Sequence, residues 1–132
     1  MKNLKTLSLL LFLFGVVISA QAQVPKIPNV GGADLSKQVL GILDNTSGLN
    51  LTGDQTTKLK ANNKSFVDQL FKITGGSGSD DQKKASILDL KNKRMGFLTN
   101  LLGSGLADKY LGSVLKGINP LKSKLGLAAL AF

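Results

Sequence analysis

The side chains with which this chain could carry out chemistry are few in kind. It contains eight Asp, 17 Lys and Arg, one Tyr and several Ser and Thr, but no His, Cys, Glu or Trp. A Ser-His-Asp triad needs an imidazole to take the proton of the nucleophile, and a Cys-His pair needs both of its members. Zinc sites draw mainly on Cys and His. The composition therefore excludes these classes of site.

The Asp residues are the remaining candidates for acid–base chemistry, because two carboxylates at a set separation suffice for glycoside hydrolysis. Asp80 and Asp81 are adjacent at an expected helix start, where negative charge complements the helix dipole. The run from Asp44 resembles the start of a calcium loop, but its twelfth position is the neutral Gln55. The other Asp residues fall at expected caps or solvated helix positions: Asp34, Asp54, Asp68, Asp89 and Asp108. We therefore expect no enzymatic activity, no metal site and no cofactor.

The first 22 residues have the layout of a secretory signal peptide. Lys2 and Lys5 precede an apolar run over residues 7–18, and small residues, Ala20 and Ala22, precede a cleavage site. The apolar run is shorter than the ~20 residues of a spanning helix, which argues against a membrane anchor. Two prolines and a Gly pair follow. We therefore divide the chain into a signal peptide (1–22), an extended lead-in (23–33) and a helical domain (34–132).

The exported part must be stabilised by burial of apolar side chains, because the absence of Cys leaves it no disulfide. Exported proteins without Cys are commoner in bacterial envelopes than among small animal secreted domains. The Ala-Gln-Ala-Gln run around the cleavage site suits a Gram-negative periplasm. We predict a periplasmic location, with release to the medium as the alternative.

Apolar residues recur every three or four positions along most of the domain, which is the period of an amphipathic helix. The third such segment has a broad apolar stripe that includes Leu88 and Met95, as expected of a helix buried between neighbours. No segment alternates with a period of two. The sequence predicts an all-α fold, a small bundle of four to five helices. They are expected near residues 34–44, 53–73, 80–102, 106–118 and 120–132.

The segment Leu51-Thr52-Gly53-Asp54-Gln55 supports two interpretations. Thr52 and Gln55 have the spacing of a capping box, in which each side chain bonds the backbone N–H of the other residue. Leu51, Thr52 and Gln55 also match the Leu-Thr-x-x-Gln motif, and on these residues the chain resembles the Spy-type periplasmic chaperones. The resemblance covers mainly residues 51–73, with a looser match to Tyr110, and the second motif of that family is missing. It implies a small all-helical protein that binds partly folded clients without ATP.

The formal net charge of +9 adds a second kind of partner to consider. A cationic exterior with an exposed apolar rim suits flexible protein clients or an envelope assembly. Anionic envelope surfaces, lipid or polysaccharide, are the alternative partner, and export argues against nucleic acid. The oligomeric state stays open. The densest basic run contains the candidate residues for an anionic surface: Lys83, Lys91, Lys93 and Arg94.

Overall fold

The computed structural model describes residues 32–132, so the predicted signal peptide and nearly all of the lead-in lie outside the described residues. Within that range the chain is helical and has no strand, which confirms the all-α prediction. The first helix begins at Gly32, two residues before the predicted start of the domain. The four main helices are α1 (Gly32–Leu43), α2 (Gly53–Gly75), α3 (Asp80–Leu102) and α4 (Ser104–Ile118).

The C-terminal segment is not the single helix that the sequence predicted from Pro120 onward. It consists of a 3₁₀ turn (Asn119–Leu121), one short helix, α5 (Lys122–Leu125), and a second 3₁₀ segment (Gly126–Ala131). Gly126 has a φ of 54°, a value that L-residues rarely adopt, and it interrupts the α-helical hydrogen bonding. The segment packs across α2 and α3 and completes the core from that side.

Both long helices begin at a capping box. The Thr52 hydroxyl accepts from the backbone N–H of Gln55, whose side chain accepts from the Thr52 N–H, and Ser79 and Gln82 repeat this arrangement before α3. These contacts satisfy backbone donors that have no partner inside a helix. Gly103, at φ 79°, ends α3 and directly precedes α4. The predicted bounds of α3 are confirmed, whereas α2 extends two residues beyond its predicted end and α4 begins two residues before its predicted start.

The core lies where α2 packs against α1 and α3. The short connection between α2 and α3 makes them antiparallel neighbours, and Gln55 Nε2 at the start of α2 donates to the Leu101 oxygen near the end of α3 at 3.1 Å. Helix α4 closes the other side and approaches α1 closely. A Cβ at Gly117 would lie 2.6 Å from Cγ2 of Ile42, so only glycine fits at this crossing.

Helix α3 is less enclosed than its broad apolar stripe predicted. Leu88 and Met95, two residues of that stripe, are 48% and 38% exposed. The neighbours of α3 cover the face that carries Ile87, Leu90 and Leu98 but leave the adjoining flank open. Helix α3 thus lies between neighbours, as the sequence predicted, but part of its apolar stripe forms an exposed surface beside the core.

Candidate functional site

A polar cluster lies in the centre of the bundle, where α2, α3 and α4 meet. Arg94 Nη2 donates to Asn63 Oδ1 at 2.7 Å and to the Tyr110 hydroxyl at 2.9 Å. The Tyr110 hydroxyl in turn donates to the Leu43 carbonyl at 2.7 Å, and Asn63 Nδ2 donates to the same carbonyl at 2.9 Å. Asn63, Arg94 and Tyr110, which we call the buried polar cluster, are at most 6% exposed. They join three helices to the end of α1.

The charge of Arg94 has no carboxylate within 4 Å among residues 32–132. Asp44 reaches it only through Asn63, whose Nδ2 lies 2.9 Å from Asp44 Oδ1. Burial therefore lowers the pKa of Arg94 below its usual value, although Tyr110 partly opposes this effect. Burial likewise raises the pKa of Tyr110. The phenol accordingly stays protonated at neutral pH and can serve as both donor and acceptor.

Aromatic rings complete the surroundings of Arg94. Its guanidinium lies 4.3 Å from the ring centroid of Phe66, a cation–π distance. The ring of Phe132 meets Phe66 edge-on with centroids 5.7 Å apart, and the Phe132 carbonyl accepts from Lys91 Nζ at 2.8 Å. The end of the described chain is thus held against α2 by the contact with Phe66 and against α3 by the hydrogen bond from Lys91.

A pocket of about 210 Å³ opens between α3, α4 and the last residues of the chain, and we call it the α3–α4 pocket. Its walls are mainly apolar, and its polar contribution comes from Lys91 and Arg94. Met95 and Leu115 line it while remaining 38% and 39% exposed at its mouth. Leu88 lies seven residues before Met95 and so on the same flank of α3. We call Leu88, Met95 and Leu115 the apolar rim.

The predicted anionic-surface residues do not share one surface. Arg94 belongs to the buried polar cluster, so its assignment to a solvated flank of α3 is wrong; its position four residues from both Leu90 and Leu98 turns it toward the core. Lys93 is exposed and pairs with Asp89 at 2.7 Å. The two remaining candidates, Lys83 and Lys91, lie neither in the core nor fully in solvent.

Lys83 and Lys91 are half-buried, and each donates to a backbone carbonyl. Lys83 Nζ lies 3.2 Å from the Thr74 oxygen and so closes the loop between α2 and α3. Lys91 Nζ bonds the Phe132 oxygen, as described above. The basic run of α3 is therefore divided among loop closure, C-terminal docking, a surface ion pair and the core.

The residues of the Leu-Thr-x-x-Gln motif have structural contacts. Thr52 and Gln55 form the predicted capping box, and Leu51 packs against the core. Gln55 also bonds the Leu101 carbonyl near the end of α3, a tertiary contact that capping alone does not require. The helix-cap interpretation of the motif is confirmed, and any role in binding stays a prediction.

Sequence reasoning did not find the buried polar cluster. The interpretation of the sequence placed Arg94 on the surface and Tyr110 in an apolar stripe. The signal was present in the spacing, because all three members occupy core positions of their helices. Asn63 lies four residues from both Leu59 and Val67, and Arg94 and Tyr110 have equivalent apolar neighbours. Three polar side chains at core positions on three helices require one another as partners.

Among residues 32–132 no group of acidic side chains is arranged to hold a metal ion. None of the helices in that range combines the length and hydropathy needed to cross a membrane. No protein-family model matches the chain, and no curated protein and no solved structure shows significant similarity to it.

Proposed function

We propose that this protein is an exported, non-enzymatic helical binding protein that holds apolar segments of partly folded proteins without ATP. The observation that carries the proposal is the apolar rim. Small soluble domains bury most of their large apolar side chains, and an apolar surface of this kind is typical of interaction sites. Met95 and Leu115 line one pocket, and Leu88 lies two helical turns before Met95 on the same flank of α3, so the three provide a surface for a flexible apolar chain.

The cations beside the apolar rim support the same proposal and add a preference. Lys84, Leu88, Lys91 and Met95 follow one another at spacings of four and three along one flank of α3. Apolar and cationic side chains therefore alternate along this flank. A client segment with acidic residues near its apolar residues would complement both, and positive charge raises the rate of encounter with such segments.

An aggregation assay tests the proposal. A reduced client that aggregates is mixed with the protein, without nucleotide, at 0.01 M and 0.15 M salt, and light scattering is recorded. We expect suppression at substoichiometric to stoichiometric amounts. It should persist at the higher salt, because apolar contacts are not screened, whereas the Debye length contracts from about 30 to 8 Å.

Two matched leucines locate the binding surface. Leu115→Gln changes the apolar rim, while Leu130→Gln changes a leucine of equal exposure, 40% against 39%, that does not line the pocket. Suppression should fall in the first variant and persist in the second. If the two variants suppress aggregation equally well, or if the wild-type protein has no effect on the client, the proposal is wrong.

A second candidate function, binding to anionic envelope surfaces, is favoured by the positive charge of residues 104–132. Residues 104–132 contain a single acidic residue, Asp108. None of the lysines there forms an ion pair with a residue in the range 32–132. The four lysines are exposed: Lys109, Lys116, Lys122 and Lys124.

Vesicle binding tests this second function with an internal control. Replacement of these four lysines by Gln should abolish binding to anionic vesicles at low salt. Replacement of four exposed lysines of α2 removes the same charge from a different surface: Lys58, Lys60, Lys64 and Lys72. If both sets weaken binding equally, attraction depends on net charge alone, and no specific surface is involved.

A further inference from the structure

Residues 126–132 form a short apolar segment, which we call the strap. The strap has no charged or polar side chain, and it lies across α2 and α3 mainly as a 3₁₀ segment. Leu125, Ala128 and Ala131 recur at a spacing of three, which is the period of a 3₁₀ helix, and all three are buried. The strap therefore lays one narrow apolar face on two helices, as a bound apolar peptide would.

The contacts that hold the strap in place are small. Ala128 and Ala131 are its buried side chains, and a methyl group removes little apolar area from water. Phe132 meets the ring of Phe66 edge-on, and its main-chain oxygen accepts a hydrogen bond from Lys91. A client segment with larger apolar side chains would bury more area in the same place than these alanines do.

Gly126 connects the strap to α5. Its φ of 54° and ψ of −125° lie in a region that L-residues rarely adopt. A Cβ at this position would meet nothing within 4 Å, so glycine is needed for the backbone conformation and not for space. The docked position of the strap thus depends on the residue type with the widest conformational freedom. A lightly held segment that begins at such a residue can open without unfolding the helices below it.

The surface beneath the strap continues the apolar rim. Ala131 and Phe132 line the α3–α4 pocket together with Met95 and Leu115, which belong to the apolar rim. Phe66 is 2% exposed and would lose the edge-on contact with Phe132 if the strap opened. Opening would therefore join the rim, the pocket and the groove on α2 and α3 into one larger apolar surface.

We propose that the strap is an autoinhibitory contact, which fills a groove on α2 and α3 that binds apolar client segments of similar length. The inference rests on the proposed function and deepens it, because it identifies a second part of the client surface and the segment that covers it. A client binds the open state and so shifts the population away from the docked strap. The strap docks again when the client leaves.

A matched pair of glycine variants tests whether the strap opens by itself. Gly126 and Gly112 are both exposed, and an added Cβ meets nothing within 4 Å at either, but only Gly126 has a positive φ. Gly126→Ala therefore disfavours the docked backbone, whereas Gly112→Ala fits α4. Hydrogen exchange is measured on the full chain after expression and purification. Residues 126–132 should exchange about fivefold faster or more in Gly126→Ala alone, while α2 and α3 keep their wild-type protection.

A fluorescent peptide with the sequence of residues 122–132 probes the groove. Its binding to each full-length protein is measured by fluorescence anisotropy. Gly126→Ala should bind it about fivefold more tightly than wild type or Gly112→Ala, because a groove filled by its own strap is available for only part of the time. A peptide with Phe132→Ser should bind Gly126→Ala more weakly, since it lacks the ring that meets Phe66.

A second variant loosens the strap without changing its backbone. Lys91→Met removes the hydrogen bond to the Phe132 oxygen and keeps an unbranched apolar side chain. Lys93→Met is the matched control, because Lys93 is exposed and pairs with Asp89 instead. Faster exchange confined to residues 126–132 is expected in Lys91→Met and not in Lys93→Met. Circular dichroism during thermal unfolding verifies that these variants remain folded.

Several results would overturn the inference. If Gly126→Ala failed to fold, or if residues 126–132 exchanged only together with α2 and α3, the strap would be an inseparable part of the core. Equal peptide affinity in wild type, Gly126→Ala and Gly112→Ala would show that the strap does not control the groove.

The aggregation assay separates this inference from the proposed function. Gly126→Ala should suppress client aggregation at lower protein amounts than wild type does. Suppression by wild type that Gly126→Ala fails to increase refutes only the inference. Tighter peptide binding by Gly126→Ala, without suppression by any of the proteins, refutes only the proposed function and leaves the strap and its groove supported.

Discussion

Two neighbouring regions of this molecule invert the usual distribution of polarity. The buried polar cluster places a charge, an amide and a phenol at the centre of the bundle, while the apolar rim leaves three large apolar side chains partly in water. Arg94 and Met95 are consecutive residues of α3, yet Arg94 is 6% exposed and Met95 is 38% exposed. The same helix thus carries its polar residue inward and its apolar residue outward.

The buried polar cluster contributes to the fold, whereas the apolar rim is available for binding. Every polar side-chain atom that is fully buried within residues 32–132 has a hydrogen-bond partner, so the buried polar cluster is complete without a ligand. The apolar rim, in contrast, leaves apolar surface in contact with water, and a binding partner could cover that surface. Substitutions in the first region should therefore change stability, and substitutions in the second should change binding.

The largest effect is expected for Arg94→Ala. The change removes the donors to Asn63 and Tyr110 and the packing on Phe66. Each buried polar group left unpaired costs about 1–3 kcal/mol, so we expect a loss of about 3 kcal/mol or more in the free energy of unfolding, measured by urea denaturation. Lys93→Ala, one residue earlier and exposed, should stay within about 0.5 kcal/mol. Equal losses in the two variants would contradict a structural role for the cluster.

A smaller loss is expected for Tyr110→Phe, which removes only the hydroxyl. The Leu43 carbonyl keeps its bond from Asn63, so the cost should be about 1–2 kcal/mol. The pKa of Tyr110 is raised in the folded state, whereas the unfolded phenol titrates near about pH 10. The folded state therefore holds the phenolic proton more tightly than the unfolded state does. The resulting contribution to the free energy of unfolding is fully present below the unfolded pKa and is lost as pH rises through the folded pKa.

The difference in unfolding free energy between wild type and Tyr110→Phe isolates this contribution. This difference should be constant from pH 7 to 9 and should shrink above pH 10. The lysines titrate in both proteins, so their effects cancel in the difference. Circular dichroism is the suitable measurement, since the variant lacks the only Tyr and the chain has no Trp. A difference that grows with pH would mean that the folded state favours the phenolate, in contradiction to the burial of Tyr110.

The two capping boxes provide an internal comparison of intermediate size. Thr52→Ala and Ser79→Ala should each cost about 0.5–2 kcal/mol, as loss of a cap does. Gln55→Ala should cost more than Gln82→Ala, by about 0.5–1.5 kcal/mol, because Gln55 also bonds the Leu101 carbonyl near the end of α3 and Gln82 is exposed. Equal costs would show that this tertiary bond contributes nothing.

If Thr52→Ala left stability unchanged but abolished client suppression, the motif would have a binding role.

The fold was largely predictable because its determinants are local. Capping boxes at Thr52 and Ser79, and glycine at the joint between α3 and α4, are read directly from short segments. The C-terminal segment was not predictable in the same way. Its apolar spacing fits a helix, but a positive φ at Gly126 depends on how the segment crosses α2 and α3.

The candidate site was not predictable to the same degree, since it depends on which helix faces are covered. The basic run of α3 suggested one surface, but neighbouring elements divide it between core and solvent. Burial of Arg94 follows from Asn63 and Tyr110 on other helices, and Met95 is exposed because no element within residues 32–132 covers that flank. The spacing of apolar residues along one helix indicates how wide its apolar stripe is, but not how much of that stripe other helices cover.

The smallest effect on stability, and the clearest effect on binding, is expected for Met95→Gln. Glutamine resembles methionine in length and helix propensity, and the side chain is partly exposed, so the free energy of unfolding should stay within about 0.5 kcal/mol of wild type. The apolar rim would nevertheless lose one of its three members, and the client assay should show weaker suppression.

Arg94→Met is the converse change at the adjacent position and should lower stability. Suppression should persist in Arg94→Met at temperatures where that protein remains folded. If Met95→Gln lowered stability as much as Arg94→Met and left suppression intact, residues 94 and 95 would not differ in role, and the separation of fold and binding along α3 would be wrong.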